Sequence, residues 1–421
     1  IYRLDIRVSL CLISMLRAKM NSLIILIIII LAGFIFNIAI EFLNLKRLSL
    51  NLPEEGKGIY DDEKYRKSQE YFKVNHNFLM LTGIFSLVVL LMMIFFGGFD
   101  YVDSLARSYT DNTILISLMF FGVLFFGADF IDIPFSVYQT FIIEEKFGFN
   151  KTTIKTFITD KIKGYVLTAI IGGGLLALII WIYQLTGDIF WIFAWVAVSV
   201  FIVLFAMLYT SLIVPLFNKL TPITEGELRT AIEGYCKKVD FKLSNIFMIN
   251  GSKRSTKSNA FFSGFGAKKK IVIYDTLIKN HSVGELVAVL AHEVGHYKKK
   301  HVFMGIIQGI LQVGIMFFIF SLSIGNSFGI GQSSFHIDIL AFLLIYTSLS
   351  GVISIIPNAI SRKHEFEADS YAKETYSADA LKTALKKLAS DNLSNLKPHP
   401  AYVIVHDSHP PVLERLNALS V

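Results

Sequence analysis

Residues 23–40 read LIILIIIILAGFIFNIAI, a stretch without a single ionisable side chain. An α-helix rises 1.5 Å per residue, so about 20 such residues cross a hydrocarbon core ~30 Å thick. The run is too long for a cleavable signal and has no small-residue cleavage site, so it is predicted to stay in the bilayer. Working outward from it, further apolar runs follow, giving seven in all: 22–43, 78–96, 113–138, 164–181, 189–213, 302–324 and 336–356. Composition agrees with this reading. Of 421 residues 53% are hydrophobic and 17% charged, and the mean hydropathy is +0.56; soluble domains carry ~25% charged residues. Disordered, collagenous and disulfide-stapled secreted chains are excluded. The two cysteines, Cys11 and Cys236, show no C-x-x-C spacing.

The basic residues sort by side of the membrane. Lys plus Arg number seven in 44–77, one in 98–112, five in 139–163, fifteen in 214–301, none in 325–335 and eight from 357 onward. By the positive-inside rule the loops after the first, third and fifth runs, and the C-terminus, face the cytosol. The formal net charge of +7 is therefore a matter of topology, and no nucleic-acid partner is expected; the bilayer is. Residues 1–19 carry four positive charges on the wrong side for this scheme and are read as a non-native leader before Met20. The expected organisation is membrane helices one to five in 20–213, a soluble segment in 214–301, helices six and seven in 302–356, and a C-terminal segment in 357–421. The third run holds Asp129, Asp132 and Pro134; these acids face a polar interior, or the run ends early and leaves them at the interface.

Chemistry is concentrated on the cytosolic side. Thr224 with Glu227 reads as a capping box opening a helix through about Lys238. Residues 244–250 (SNIFMIN) are strand-like, and NAFFSGFG followed by KKKIVIYD suggests a β-hairpin around Gly264–Lys270. Ser282 with Glu285 is a second capping box, opening a helix that carries GELVAVLAHEVGHYKKKH. Helices are also expected over about Arg362–Glu374, from Ser377, and over the final HPPVLERLNAL.

Within the second of these helices stands His292-Glu293-Val294-Gly295-His296. Residues four apart share a helix face, so both imidazoles can reach one metal ion, and Glu293 beside them can act as general base towards water. Two His, one carboxylate and an open position suit one Zn2+. The third donor is sought in Arg362-Lys363-His364-Glu365-Phe366-Glu367-Ala368-Asp369. Glu365 and Asp369 share a face, which lets Glu365 bind the ion while Asp369 accepts the free N–H of a ligand histidine. His364 is a further possible ligand but lacks the matched acid, and Glu367 points away. His409 and Arg415 are suitable donors to a tetrahedral oxyanion, and Asn259 can hold the backbone of a substrate laid along a strand edge.

With these residues the sequence resembles the type I CAAX prenyl proteases, integral-membrane zinc metalloendopeptidases that trim prenylated C-terminal C-a-a-X proteins. The resemblance runs from about Met20 through EEKFGFN (144–150), PLFNKLTP (215–222), SNAFFSGFGAKKKIVIYDTL (258–277), AHEVGH (291–296), SRKHEFEAD (361–369) and SHPPVLERLNAL (408–419). It implies a fold of seven transmembrane helices forming a barrel around a water-filled chamber, capped by a zinc metalloprotease domain with a small β element. It also implies zinc ligands at His292, His296 and Glu365, a base at Glu293, a supporting acid at Asp369, and substrate or transition-state contacts at Asn259, His409 and Arg415. The expected partner is a peptide or protein substrate, prenylated in the family's manner. Residue usage rich in Ile, Lys and Asn reads as bacterial, which places the chain in an inner membrane; in a eukaryote the corresponding site is the endoplasmic reticulum. Two other readings compete: an HtpX-type quality-control protease, and a non-catalytic receptor or channel with structural zinc.

Overall fold

The structure, a computed structural model, describes residues 2–242, 245–263 and 270–421, with backbone alone for 2–19, 262 and 263. Among the described residues six helical stretches are long and apolar enough to cross a membrane: Met20–Lys46, Asp62–Phe95, Thr113–Glu144, Ile154–Phe217, His301–Ser323 and Phe335–Ile353. Each of the seven runs marked in the sequence overlaps one of these six, with two of them sharing the 64-residue stretch, and the last run overshoots its helix, which ends at Ile353. That stretch turns back at Gly187–Ile189, where Gly187 takes φ 56°. Its two arms then pack through Ile180, Ile182, Phe190 and Ala194. A third or less of each span's most apolar window is buried by protein (6–33%), so lipid must cover much of the remainder.

Where spans do touch, small residues let them approach. Gly33 faces the carbonyl of Ser348 so closely that a Cβ would lie 2.2 Å from its oxygen, the device by which membrane helices gain van der Waals contact. The third run does not stop at its acids. Helix Thr113–Tyr138 continues through Pro134, and Asp129 accepts from Lys161 Nζ at 2.7 Å and from the Tyr165 hydroxyl. Asp132 is exposed.

The soluble part is built on a four-stranded sheet in the order β1-β2-β4-β3, where β1 is Leu220–Pro222, β2 Asn245–Ile249, β3 Ala260–Ser263 and β4 Lys270–Tyr274. β3 and β4 pair antiparallel, as the hairpin reading requires; its turn, at 264–269, lies outside the described residues, as does Ser244. β2 and β4 run parallel. Ile246, Ile271 and Ile273 pack on Leu286, Val287, Leu290 and Val294 of helix Val283–Lys298, with Ile232 and Tyr235 in the same core. That helix, the motif helix below, opens with the expected capping box: Ser282 Oγ accepts from Glu285 N at 3.3 Å and Glu285 Oε2 accepts from Ser282 N at 2.9 Å. The Thr224 box does not form. Gly226, at φ 111°, caps helix Glu227–Lys238 without any side-chain bond, because a glycine in that conformation already ends the preceding segment.

Among the contacts that fasten the sheet region to the helical spans, two centre on the chain before β3. Asn150 forms an isolated antiparallel bridge with Ser255, ahead of β3: Lys151 N donates to Arg254 O (2.9 Å) and Thr256 N to Phe149 O (3.1 Å). Arg254 also grips Asp160 with two bonds of 2.7 and 2.9 Å and donates to Phe217 O at 2.8 Å. A fork of this kind is geometrically specific, and its hydrogen bonds are each worth roughly 1.5–3 kcal/mol. Arg254→Ala is therefore expected to lower stability by about 1–3 kcal/mol, read as an earlier thermal transition of the full-length protein in detergent. An unshifted transition would show the fork to be dispensable.

Candidate active site

The motif helix packs against helix Ile355–Thr375, the acidic helix. Their approach depends on Gly295, since a Cβ there would stand 3.1 Å from both the Cα and the carbonyl oxygen of Ala368. Across this contact His292, His296 and Glu365 bring one donor atom each to within 4.8 Å of one another, and no other such group occurs among the described residues. His292 Nε2 and His296 Nε2 are 3.1 Å apart, His296 Nε2 is 3.2 Å from Glu365 Oε1, and His292 Nε2 is 3.5 Å from Glu365 Oε2. Two ligand atoms ~2.0–2.1 Å from one tetrahedral ion stand ~3.3 Å apart. The residues present fit a metal on a second count. Glu365 Oε2 is buried without a well-formed hydrogen bond, holding an ion-pair contact with Arg415 Nη1 at 3.2 Å, whereas a buried carboxylate oxygen is normally hydrogen-bonded.

Asp369, buried, fixes one of the imidazoles. Its Oδ1 lies 2.8 Å from His292 Nδ1, so the ring proton sits on Nδ1 and the Nε2 lone pair is turned to the group. Arg415, from helix Val412–Ser420, donates to Asp369 through Nε (2.8 Å) and Nη2 (2.6 Å), and its Nη1 is 3.2 Å from Glu365 Oε2. Burial would raise the carboxyl of Glu365, but its bond to His296 and the attraction of its neighbours, the Arg415 guanidinium among them, bring it down to about 2. Burial likewise pushes Asp369 up, and the bonds from Arg415 and His292 more than offset it. Glu293 is shifted the other way. Desolvation holds its carboxyl above the ordinary glutamate range, against the pull of His292 and His296, and it makes no hydrogen bond to a described residue. A base with a raised pKa is the better proton acceptor near neutral pH.

The remaining sequence-predicted residues gather round one cavity of about 450 Å³, whose lining includes Asn259, Asn392, Asp407, His409 and Arg415. His409 is 66% exposed, with Nε2 3.5 Å from Glu365 Oε1. Asn259 is exposed and immediately precedes the edge strand β3; its Oδ1 accepts from Ala260 N at 2.8 Å, and its amide NH2 has no hydrogen-bond partner among the described residues. Sequence reasoning missed Asn392, whose side chain accepts from Ser258 N (3.2 Å) and donates to Ser258 O (3.3 Å), holding the chain just before Asn259. It also missed what His364 and Glu367 do. Neither joins the metal group; both engage His301. The clue lay in chain geometry: the motif helix ends at Lys298, not beyond, because Lys300 adopts a left-handed conformation at φ 63°.

Two family models divide the chain: CAAX prenyl protease N-terminal, five membrane helices, matches residues 41–219, and Peptidase family M48 matches 222–421. CAAX prenyl protease 1 of Saccharomyces cerevisiae is 35% identical, over 92% of this chain and 93% of that protein. The CAAX prenyl protease 1 homologues of Arabidopsis thaliana and Homo sapiens are 34% and 32% identical, covering 92% and 89% of this chain and 94% and 89% of theirs. The chain belongs to the CAAX prenyl protease 1 family of M48 peptidases. The crystal structure of S. mikatae Ste24p superposes with a TM-score of 0.89 at 34% identity, over 95% of this chain and 99% of that one. Membership makes the chain a multi-pass membrane metallopeptidase, not a receptor or channel, and aligns it with the CAAX type in preference to the HtpX type.

Arg415→Met strands Asp369 as a buried carboxylate with one partner fewer, and breaking a buried pair costs about 3–5 kcal/mol. A lower melting temperature together with lower metal content after purification is expected, measured by calorimetry and elemental analysis. Both values at the wild-type level would remove Arg415 from the site's framework.

Proposed function

We propose that the chain is a zinc endopeptidase acting on prenylated C-terminal C-a-a-X proteins at the cytosolic face of its membrane. The observation that carries this reading is the convergence of His292, His296 and Glu365 beside a raised, unbonded Glu293 and a cavity lined by Asn259, His409 and Arg415. Zinc, when held by those three donors, supplies Lewis acidity and lowers the pKa of water. Glu293 takes the proton from the attacking water and passes it to the leaving amine. His409, exposed beside Glu365, donates to the oxygen that becomes negative as the amide is attacked. Arg415, anticipated as a similar donor, is better placed as the brace of Asp369 and Glu365, since Nε and Nη2 are committed to Asp369. Asn259 and the free edge of β3 hold the substrate in extended form.

The lysine-rich segments that border the soluble sheet support the cytosolic assignment. The named relatives are eukaryotic, which favours the endoplasmic reticulum over a bacterial inner membrane. A seven-helix barrel round a wet chamber is consistent with the Asp129–Lys161–Tyr165 cluster, since such charges avoid lipid.

Glu293→Gln is expected to lower kcat/KM by at least about 100-fold while zinc remains bound, assayed on a farnesylated C-a-a-X peptide with metal analysis of the same preparation. Retained cleavage by that variant would overturn the base assignment. Paired peptides with and without the prenyl group separate the specificities: equal rates would contradict the prenyl reading. Glu365→Ala is expected to lose most of its zinc; full occupancy would remove Glu365 from the ligand set.

A further inference from the structure

His292 has its Asp369, and His296 has a partner of its own. His296 turns Nε2 to the metal group, so its neutral ring carries the proton on Nδ1. That Nδ1 lies 3.1 Å from Nδ1 of His301. A bond between two ring nitrogens needs one donor and one acceptor, so His301 accepts on Nδ1 and carries its own proton on Nε2. His301 Nε2 is 2.9 Å from Glu367 Oε2, where that proton is donated to a carboxylate. Each link sets the tautomer of the next, without a clash of protons anywhere along the series.

We propose that His301 and Glu367 are positioning residues for His296, forming an imidazole–imidazole–carboxylate chain that fixes the ring's tautomer and tilt and strengthens its Nε2 as a metal donor. The inference rests on the metal reading of His292, His296 and Glu365 given above.

The surrounding structure holds this chain in place. The left-handed Lys300 turns the backbone sharply after the motif helix, so that buried His301, the first residue of helix His301–Ser323, returns beneath His296. The ring of His364 stacks on that of His301, with centroids 4.0 Å and planes 8° apart. One turn of the acidic helix thus serves three purposes: Glu365 joins the group, His364 flanks the relay and Glu367 terminates it. Lys363 stands 3.7 Å from the other Glu367 oxygen. A buried aromatic that merely filled space at this corner would need the right shape alone. The matched donors and acceptors on both ring nitrogens go beyond shape and point to orientation of the ligand, a role whose loss typically costs 10–100-fold in metal affinity.

The test uses the full-length protein in detergent, with zinc affinity measured by chelator competition and the melting temperature of the metal-free form as a check on folding. His301→Phe keeps a ring for His364 to stack on but removes both hydrogen bonds. His301→Gln restores one acceptor and one donor. Zinc binding weaker by 10–100-fold in His301→Phe, at an unchanged metal-free melting temperature, with recovery to within a few-fold of wild type in His301→Gln, is the expected result. Affinity within twofold of wild type in His301→Phe overturns the inference. Should that variant fail to fold, Glu367→Ala decides: a tenfold or greater loss supports the chain, and no loss overturns it. Wild-type protein that binds no zinc, or full occupancy in His292→Ala, would instead sink the metal reading on which the inference stands.

Discussion

The carboxylate of Asp369 is the point at which three separate segments meet. It receives the Nδ1 proton of His292 from the motif helix and two N–H groups of Arg415 from the C-terminal helix, while itself belonging to the acidic helix. An isolated charge buried to this depth would cost several kcal/mol, so each partner holds the others in register. From that constraint the rest of the site follows. His292 can present only Nε2 inward, Arg415 is drawn alongside Glu365, and the two long helices close to the distance that Gly295 permits.

The same principle explains the pattern of ionisation. The acids bonded to imidazole or guanidinium groups stay charged despite burial, whereas Glu293, which makes no hydrogen bond to a described residue, is governed by desolvation. Two glutamates from one small site are thereby driven in opposite directions, one suited to binding a cation and the other to carrying a proton.

Much of this was legible in the chain itself, because the signals were local. Apolar run length announced the membrane stretches, a spacing of four placed His292 with His296 and Glu365 with Asp369, and Ser282 with Glu285 marked the start of the helix that carries the motif. Where reading failed, the deciding contact was distant or conformational. Thr224 and Glu227 had the spelling of a capping box, yet Gly226 between them took over the turn. The lysines after His296 looked like more helix, and only the left-handed Lys300 reveals the corner that brings His301 back. The short helix Pro400–His406 and the start of the acidic helix at Ile355 were likewise hidden, since both are set by packing against other segments. Asn392 gave no sign because its target, the backbone of Ser258, is remote in sequence.

The order of the three donors along the chain has a mechanical outcome. His292 and His296 precede the helices His301–Ser323 and Phe335–Ile353, and Glu365 follows them. An ion gripped by all three would clip shut a loop that contains an entire transmembrane hairpin, much as a disulfide closes a loop of chain. Removing that ion would then be felt inside the bilayer as well as at the site itself, with the two helices released from a tether at the ends nearest the three donors.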